Sequence, residues 1–175
     1  MLILIIVAII VVVGISIYNS IKVARIKVEE GASGIDVALA KRYDVITNLV
    51  ECVKGYAKHE AETLENIIEA RSSMTMKEKA DCEEKYNNTQ TKLLAIAEGY
   101  PDLKANENFL QLQRSIVDVE EHLQAARRLY NANVAYYNQR LETFPSNVVA
   151  NMMKVTKEEY FQAAQEEKEN VRIKL

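Results

Sequence analysis

The chain has 175 residues, with 22 lysines and arginines against 25 aspartates and glutamates, a formal net charge of −3, five glycines, two prolines, two cysteines and no tryptophan. Two cysteines exclude a disulfide-built scaffold, and the slightly acidic balance gives no electrostatic footprint for nucleic acid. So few glycines and prolines exclude a turn-rich β fold and leave long helices as the expected content.

The first 21 residues, Met1 to Ile21, hold 17 apolar residues and no charged side chain. At about 1.5 Å rise per residue they reach roughly 30 Å, the thickness of a bilayer's hydrocarbon core, which predicts a transmembrane helix. A cleaved signal peptide fits less well. No basic stretch precedes the run, the run exceeds a usual signal core, no small-x-small site follows it, and no nearby cysteine would carry a lipid. A buried core helix is disfavoured by the length of the run.

Lys22, Arg25 and Lys27 follow the span, and only the amino terminus precedes it. The positive-inside rule therefore puts the amino terminus outside and the remaining 154 residues in the cytoplasm. Cys52 and Cys82 as free thiols fit a reducing compartment. Tyr18 is expected at headgroup depth, and with Lys22, Arg25 and Lys27 it forms the expected membrane interface. Each of those cations is worth roughly 1 kcal/mol near anionic lipid, although a topology signal explains the cluster without a specific lipid site.

Residues 22–34 read as a juxtamembrane connection in which Gly31 and Gly34 mark a bend or break. From there the heptad series Leu39, Ile46, Val53, Glu60, Ile67 and Tyr43, Val50, Ala57, Leu64, Arg71 is apolar at eight of ten positions, predicting a helix from Ile35 to Arg71, about 55 Å long. Arg71 to Met76 is a polar connection. A shorter helix follows on Cys82, Tyr86, Thr89, Leu93, Ile96 and Tyr100, ending at Gly99 or Tyr100 because Pro101 disfavours helical geometry before it.

Asn106, with Glu107 behind it, has the composition of a helix start. The next stripe runs Phe109, Ile116, Leu123, Tyr130, Tyr137, Phe144 and Leu112, Val119, Ala126, Asn133, Arg140, where Val134 and Leu141 replace the last two members as a 3.6-residue helix drifts against a seven-residue repeat. Phe144-Pro145-Ser146-Asn147 ends that helix. Thr156-Lys157-Glu158-Glu159 has capping-box spacing and predicts a terminal helix over about Lys157 to Lys168.

The expected organisation is all-α: a transmembrane helix over 1–21, a connection over 22–34, an elongated antiparallel three-to-four-helix bundle over 35–155 running up-down-up, and a short helix and tail over 156–175. A rod that long for its girth can leave part of its stripe to a partner.

Several blocks resemble the LemA proteins, a bacterial family of single-span helical proteins. They include Lys41-Arg42-Tyr43-Asp44, Asn48-Leu49-Val50-Glu51, Val53-Lys54-Gly55-Tyr56-Ala57-Lys58-His59-Glu60, Tyr100-Pro101-Asp102-Leu103-Lys104-Ala105-Asn106-Glu107-Asn108-Phe109, Ala126-Arg127-Arg128-Leu129-Tyr130-Asn131, Tyr137-Asn138 and Phe144-Pro145-Ser146-Asn147. Thr47 departs from the pattern where a proline is usual, and Ala32 where an aromatic is common. The resemblance implies a membrane-anchored helical domain and no catalytic residues. One branch of similar proteins is associated with magnetosome membranes, which suggests membrane organisation as a class of role.

Signs of chemistry are thin. His59-Glu60-Ala61-Glu62-Thr63 begins like a zincin helix but lacks the second histidine at i+4. A metal would need His59 and His122 to meet across the bundle with Glu62 or Asp118. Neither cysteine has a neighbouring histidine to make it a nucleophile. No glycine-rich phosphate loop exists, and the mixed runs Lys77-Glu78-Lys79 and Asp81 to Lys85 read as a solvated helical face. Asn87-Asn88-Thr89 fits a glycosylation triplet that a cytoplasmic domain would not use.

Asn106, Glu107 and Asn108, at a proline-led bend, are either a plain helix start or a partner-docking point. No catalytic, cofactor or metal residue is therefore expected, and no small-molecule substrate. The primary expectation is a non-enzymatic membrane scaffold or interaction protein, in contact with the lipid bilayer and with copies of itself or another membrane protein. The alternatives are a signalling module coupling the membrane to a cytoplasmic enzyme, and a metal-dependent enzyme.

Overall fold

The computed structural model describes residues 1–57 and 74–162. Among them are the helices α1 (Leu2–Lys54), α2 (Met76–Glu98), α3 (Pro101–Lys104), α4 (Glu107–Glu142) and α5 (Ser146–Met153), and no strand. α1 ends at Lys54 and Gly55 to Ala57 are non-helical, so the unbroken helix expected from Ile35 to Arg71 is interrupted there, while Glu60, Leu64, Ile67 and Arg71 of the first heptad series lie outside the described residues, as do His59 and Glu62.

The all-α expectation holds, but the chain does not bend at Gly31 and Gly34. α1 is a single helix of 53 residues, roughly 80 Å long. Gly31 is a site of close approach: a Cβ there would stand 3.0 Å from the Tyr130 Cα of α4. The glycine lets two helix backbones meet, and that packing offsets the roughly 1 kcal/mol by which glycine weakens a helix interior relative to alanine.

α1 and α4 form the spine of the bundle. Leu39, Ile46, Leu49 and Val53 of α1 and Phe109, Val119, Leu123 and Val134 of α4 are all fully buried, so most of the predicted stripes are consumed inside the bundle. Lys27 meets Asn133, whose side-chain amide donates to the Lys27 carbonyl at 2.7 Å, and Arg42 meets Glu120, so the two helices are antiparallel. α2 departs from the up-down-up expectation. Asp36 pairs with Lys79, and Tyr43 with Tyr86 at 6.4 Å between ring centroids, so α2 runs in the same direction as α1 and antiparallel to α4. Gly99 ends α2, as the proline two residues on predicts.

The run Lys77 to Lys85 is not a solvated face. Lys79 and Glu83 are buried, and Lys79 Nζ lies 2.5 Å from Asp36 Oδ1. Glu83 belongs to a charge-balanced cluster that ties three helices: Arg42 Nη1 to Glu120 Oε2 at 2.9 Å, Arg127 Nη1 to Glu83 Oε1 at 2.5 Å, Arg127 Nη2 to Glu120 Oε1 at 3.4 Å, and Arg42 Nη2 donating to Asn87 Oδ1 at 2.5 Å. Desolvating four charges offsets most of their attraction, so such a cluster contributes register more than net stability. A one-residue slip of any of the three helices would strand a buried charge.

The terminal helix is likewise absent from the described part of its range, since residues 155–162 are non-helical. The Glu158 N–H, which would lie in the first turn of that helix, instead donates to Asn138 Oδ1 at 3.0 Å, while the Asn138 amide donates to the Glu158 carbonyl at 2.9 Å. Asn131, two turns earlier on α4, brackets the Phe161 backbone in the same way at 2.8 and 3.0 Å. Phe161 is buried beneath the Arg127 guanidinium. The capping box that does form is Thr75 with Glu78, at the start of α2.

Candidate membrane-interface site

Residues 1–13 are all exposed, no part of the apolar run is covered by the other described residues, and burial against the bundle begins at Ile17 and Ile21. The bundle therefore starts where the apolar run stops. The antiparallel register of α1 and α4 carries this level across to the end of α4 and to α5.

At that junction lies an open cleft of about 360 Å³. Tyr18, Lys22 and Arg25 reach it from successive turns of α1, Tyr137 from α4, and Met153 to Thr156 with Glu158 from the end of α5 and the strap beyond it. Lys22 Nζ stands 5.8 Å from the Tyr18 ring centroid, within cation–π range, and Arg25 Nε is 3.5 Å from Glu29. Burial pushes the Tyr137 hydroxyl above its ordinary range, with the Arg25 charge opposing and Glu158 adding to the rise. Tyr130 is raised in the same way, first by burial and then by Glu158 and Glu159, and donates to the Glu159 carbonyl at 2.8 Å.

Of the four interface residues read from the sequence, the structure gathers Tyr18, Lys22 and Arg25 and leaves Lys27 out. Nine residues beyond Tyr18, Lys27 falls about half a turn round the helix. Lys154, Glu158 and Tyr137 complete the site and were not anticipated. One readable signal existed for the strap that carries two of them: Asn131 and Asn138 are seven residues apart, on one face of α4.

Asn106, Glu107 and Asn108 lie at the opposite end, roughly 55 Å away along α1. Asn106 is a helix cap, its Oδ1 accepting from the Asn108 and Phe109 N–H groups, while its amide donates to the Tyr56 hydroxyl at 3.0 Å. Glu107 and Asn108 are exposed. His122 is exposed and its Nδ1 is 2.6 Å from the Asp118 carbonyl. Among the described residues no three metal-ligating side chains are gathered. Burial raises both thiols above their ordinary range, which disfavours the thiolate form.

These features define a class: a helical-bundle protein with an amino-terminal helix long and apolar enough to cross a membrane. The chain belongs to the LemA family, whose model matches residues 31–175. It is 27% identical to Protein LemA of Metamycoplasma hominis over 150 residues, 83% of this chain and 68% of that protein. It is also 29% identical over 77 residues to Magnetosome protein MamQ 2 of Paramagnetospirillum magneticum, and 29% over 76 residues to Magnetosome protein MamQ of Magnetospirillum gryphiswaldense. Those matches span 44% and 43% of this chain but 28% of each magnetosome protein.

Proposed function

We propose that this chain is a membrane-anchored, non-enzymatic scaffold or interaction protein, with Met1 to Ile21 spanning the bacterial inner membrane and the bundle on the cytoplasmic side. One observation carries the reading: the apolar run is left bare along the same helix whose remaining apolar face is buried. An anchor needs the first property and a self-sufficient rod the second. Lys22, Arg25 and Lys27 support the orientation. The magnetosome relatives support a role in membrane organisation by likeness. With the stripes of α1 and α4 largely consumed inside the bundle, the partner, a second copy or another membrane protein, meets the rod on its outer face or through the spans.

The test is crosslinking in intact membranes followed by mass spectrometry, with a reporter fused after Leu175. Adducts to a second copy or to a defined membrane protein, with the reporter active in the cytoplasm, support the reading. A strict monomer without adducts, or a reporter active only outside, refutes the corresponding half of it. A signalling module is the second reading, favoured by α1 entering the bundle from the apolar segment without a joint. It predicts an enzyme whose output changes when this chain is deleted.

A further inference from the structure

The cleft sits beside an apolar collar. Phe144, Val148 and Met152, spaced four residues apart along one side of α5 and the turn before it, are 83%, 52% and 80% exposed, while Ser146 and Ala150 on the other side are buried. Phe144 thereby leaves the heptad stripe that would have placed it in the core. The register that pairs Lys27 with Asn133 and Gly31 with Tyr130 sets Phe144 level with about Ile17, where α1 stops being bare. Large apolar side chains presented at the level where an apolar helix leaves the bundle are continuous with that helix's own surroundings, which makes the bilayer their occupant.

With the collar in the interface, the cleft opens at headgroup depth. Among the described residues it is lined by three cations, Lys22, Arg25 and Lys154, and one carboxylate, Glu158, and Glu29 beside Arg25 brings the local net charge to +1. We propose that this cleft binds the phosphate of an anionic phospholipid headgroup, an inference that rests on Met1 to Ile21 spanning the membrane. Arg25 offers a planar fork for two phosphate oxygens, and Lys22 and Lys154 act as point charges from either side. The surplus of positive charge selects an anionic lipid over a zwitterionic one. Glu158 at the rim accepts a headgroup hydroxyl.

The backbone of Lys154 is unusual for its residue type. It caps α5 in the left-handed region at φ 53° and ψ 36°, with its N–H and that of Val155 bonded back to α5 carbonyls. Glycine ordinarily occupies such a position. Here a lysine takes it and lines the cleft.

The test uses the full chain in nanodiscs of phosphatidylcholine with a minor fraction of phosphatidylglycerol, counting retained lipids by native mass spectrometry. Phosphatidylglycerol should be enriched around the wild type, and Lys154→Gln should lower that enrichment about fivefold, the equivalent of about 1 kcal/mol per cation. Lys154→Gly should lower it equally while folding at least as well, which separates lost binding from lost structure. Lys27→Gln removes the same charge near the same depth but outside the cleft, and should change enrichment less than about twofold. Equal losses for Lys27→Gln and Lys154→Gln, or no enrichment at all, would overturn the proposal. Inorganic phosphate that displaces the lipid completely would reassign the cleft to a soluble anion and overturn it as well. Alkaline carbonate extraction keeps the two readings apart: a chain that leaves the membrane fraction refutes the anchor, whereas a retained chain without enrichment refutes the cleft alone.

Discussion

Gly31 and Gly34 stand three residues apart on α1 and invite the same substitution, yet the structure gives them opposite outcomes. At Gly34 an added Cβ meets only the Ala126 Cβ at 4.0 Å, an ordinary contact. Gly34→Ala should therefore show the helix-propensity gain alone, about 0.5–1 kcal/mol. At Gly31 the new methyl stands 3.0 Å from the Tyr130 Cα and 3.4 Å from Asn133 Nδ2. Backbone cannot rotate away, so α1 and α4 must separate by several tenths of an ångström, straining the Asn133 bond to the Lys27 carbonyl. Overpacking of this kind costs about 1–3 kcal/mol, and subtracting the propensity gain leaves Gly31→Ala roughly 0.5–2 kcal/mol less stable than wild type. Thermal unfolding of the full chain in detergent, followed by circular dichroism, should show Gly34→Ala rising by about 2–4 °C and Gly31→Ala falling by a similar amount. If both variants rise together, the helices do not touch at Gly31 and the packing described here is wrong. If Gly34→Ala falls as far as Gly31→Ala, α1 is not a straight helix at that point.

Three further outcomes follow from the contacts. Arg42→Met should lower stability by about 3 kcal/mol, because the buried Glu83 and the partly exposed Glu120 then share a single guanidinium; a shift in urea midpoint equivalent to less than about 1 kcal/mol would show the cluster to be solvated. Asn138→Ala and Asn131→Ala should each cost about 1–3 kcal/mol and release the strap, seen as faster amide hydrogen exchange at Glu158 and Phe161, and unchanged exchange there would refute the two bracketing contacts. The Glu78 carboxyl is held below its ordinary value by the Thr75 backbone N–H and then by the Thr75 hydroxyl. A folded-state pKa below the unfolded value means that the stabilisation is present above the unfolded value, here 4.5, and is lost as pH falls through the folded one. Thr75→Ala should thus be less stable than wild type at neutral pH, with the gap narrowing in acid; a gap that is constant with pH would remove the carboxylate from the cap.

Apolar run, heptad stripes, the stop before Pro101 and the Asn106 cap were all legible because each is a local property of consecutive residues. What was not legible depends on what a face meets. Lys79 and Glu83 read as solvated because a charged run normally is, and only α1 and α4 arriving with Asp36, Arg42 and Arg127 make their burial tolerable. Thr75-x-x-Glu78 and Thr156-x-x-Glu159 share one pattern, yet only the first caps a helix. Asn138, distant in sequence, takes the Glu158 N–H and holds the second in an extended form. Of the residues that line the cleft, Tyr18, Lys22 and Arg25 stood out in the sequence by their place at the end of the apolar run. Lys154 could not be, since it reaches the same level only after the chain has travelled the length of the bundle and back.

Since α1 passes from the apolar segment into the bundle without a joint, the inclination of one is the inclination of the other. A span longer than the local hydrocarbon thickness tilts, typically by about 20°. With roughly 50 Å of helix beyond the surface, such a tilt would swing the far end sideways by about 17 Å. The distal tip around Asn106 would then take its position from the thickness of the bilayer in which the chain sits. With Met1 to Ile21 spanning the membrane as proposed, a rod built this way would be a gauge of the bilayer as well as an attachment to it.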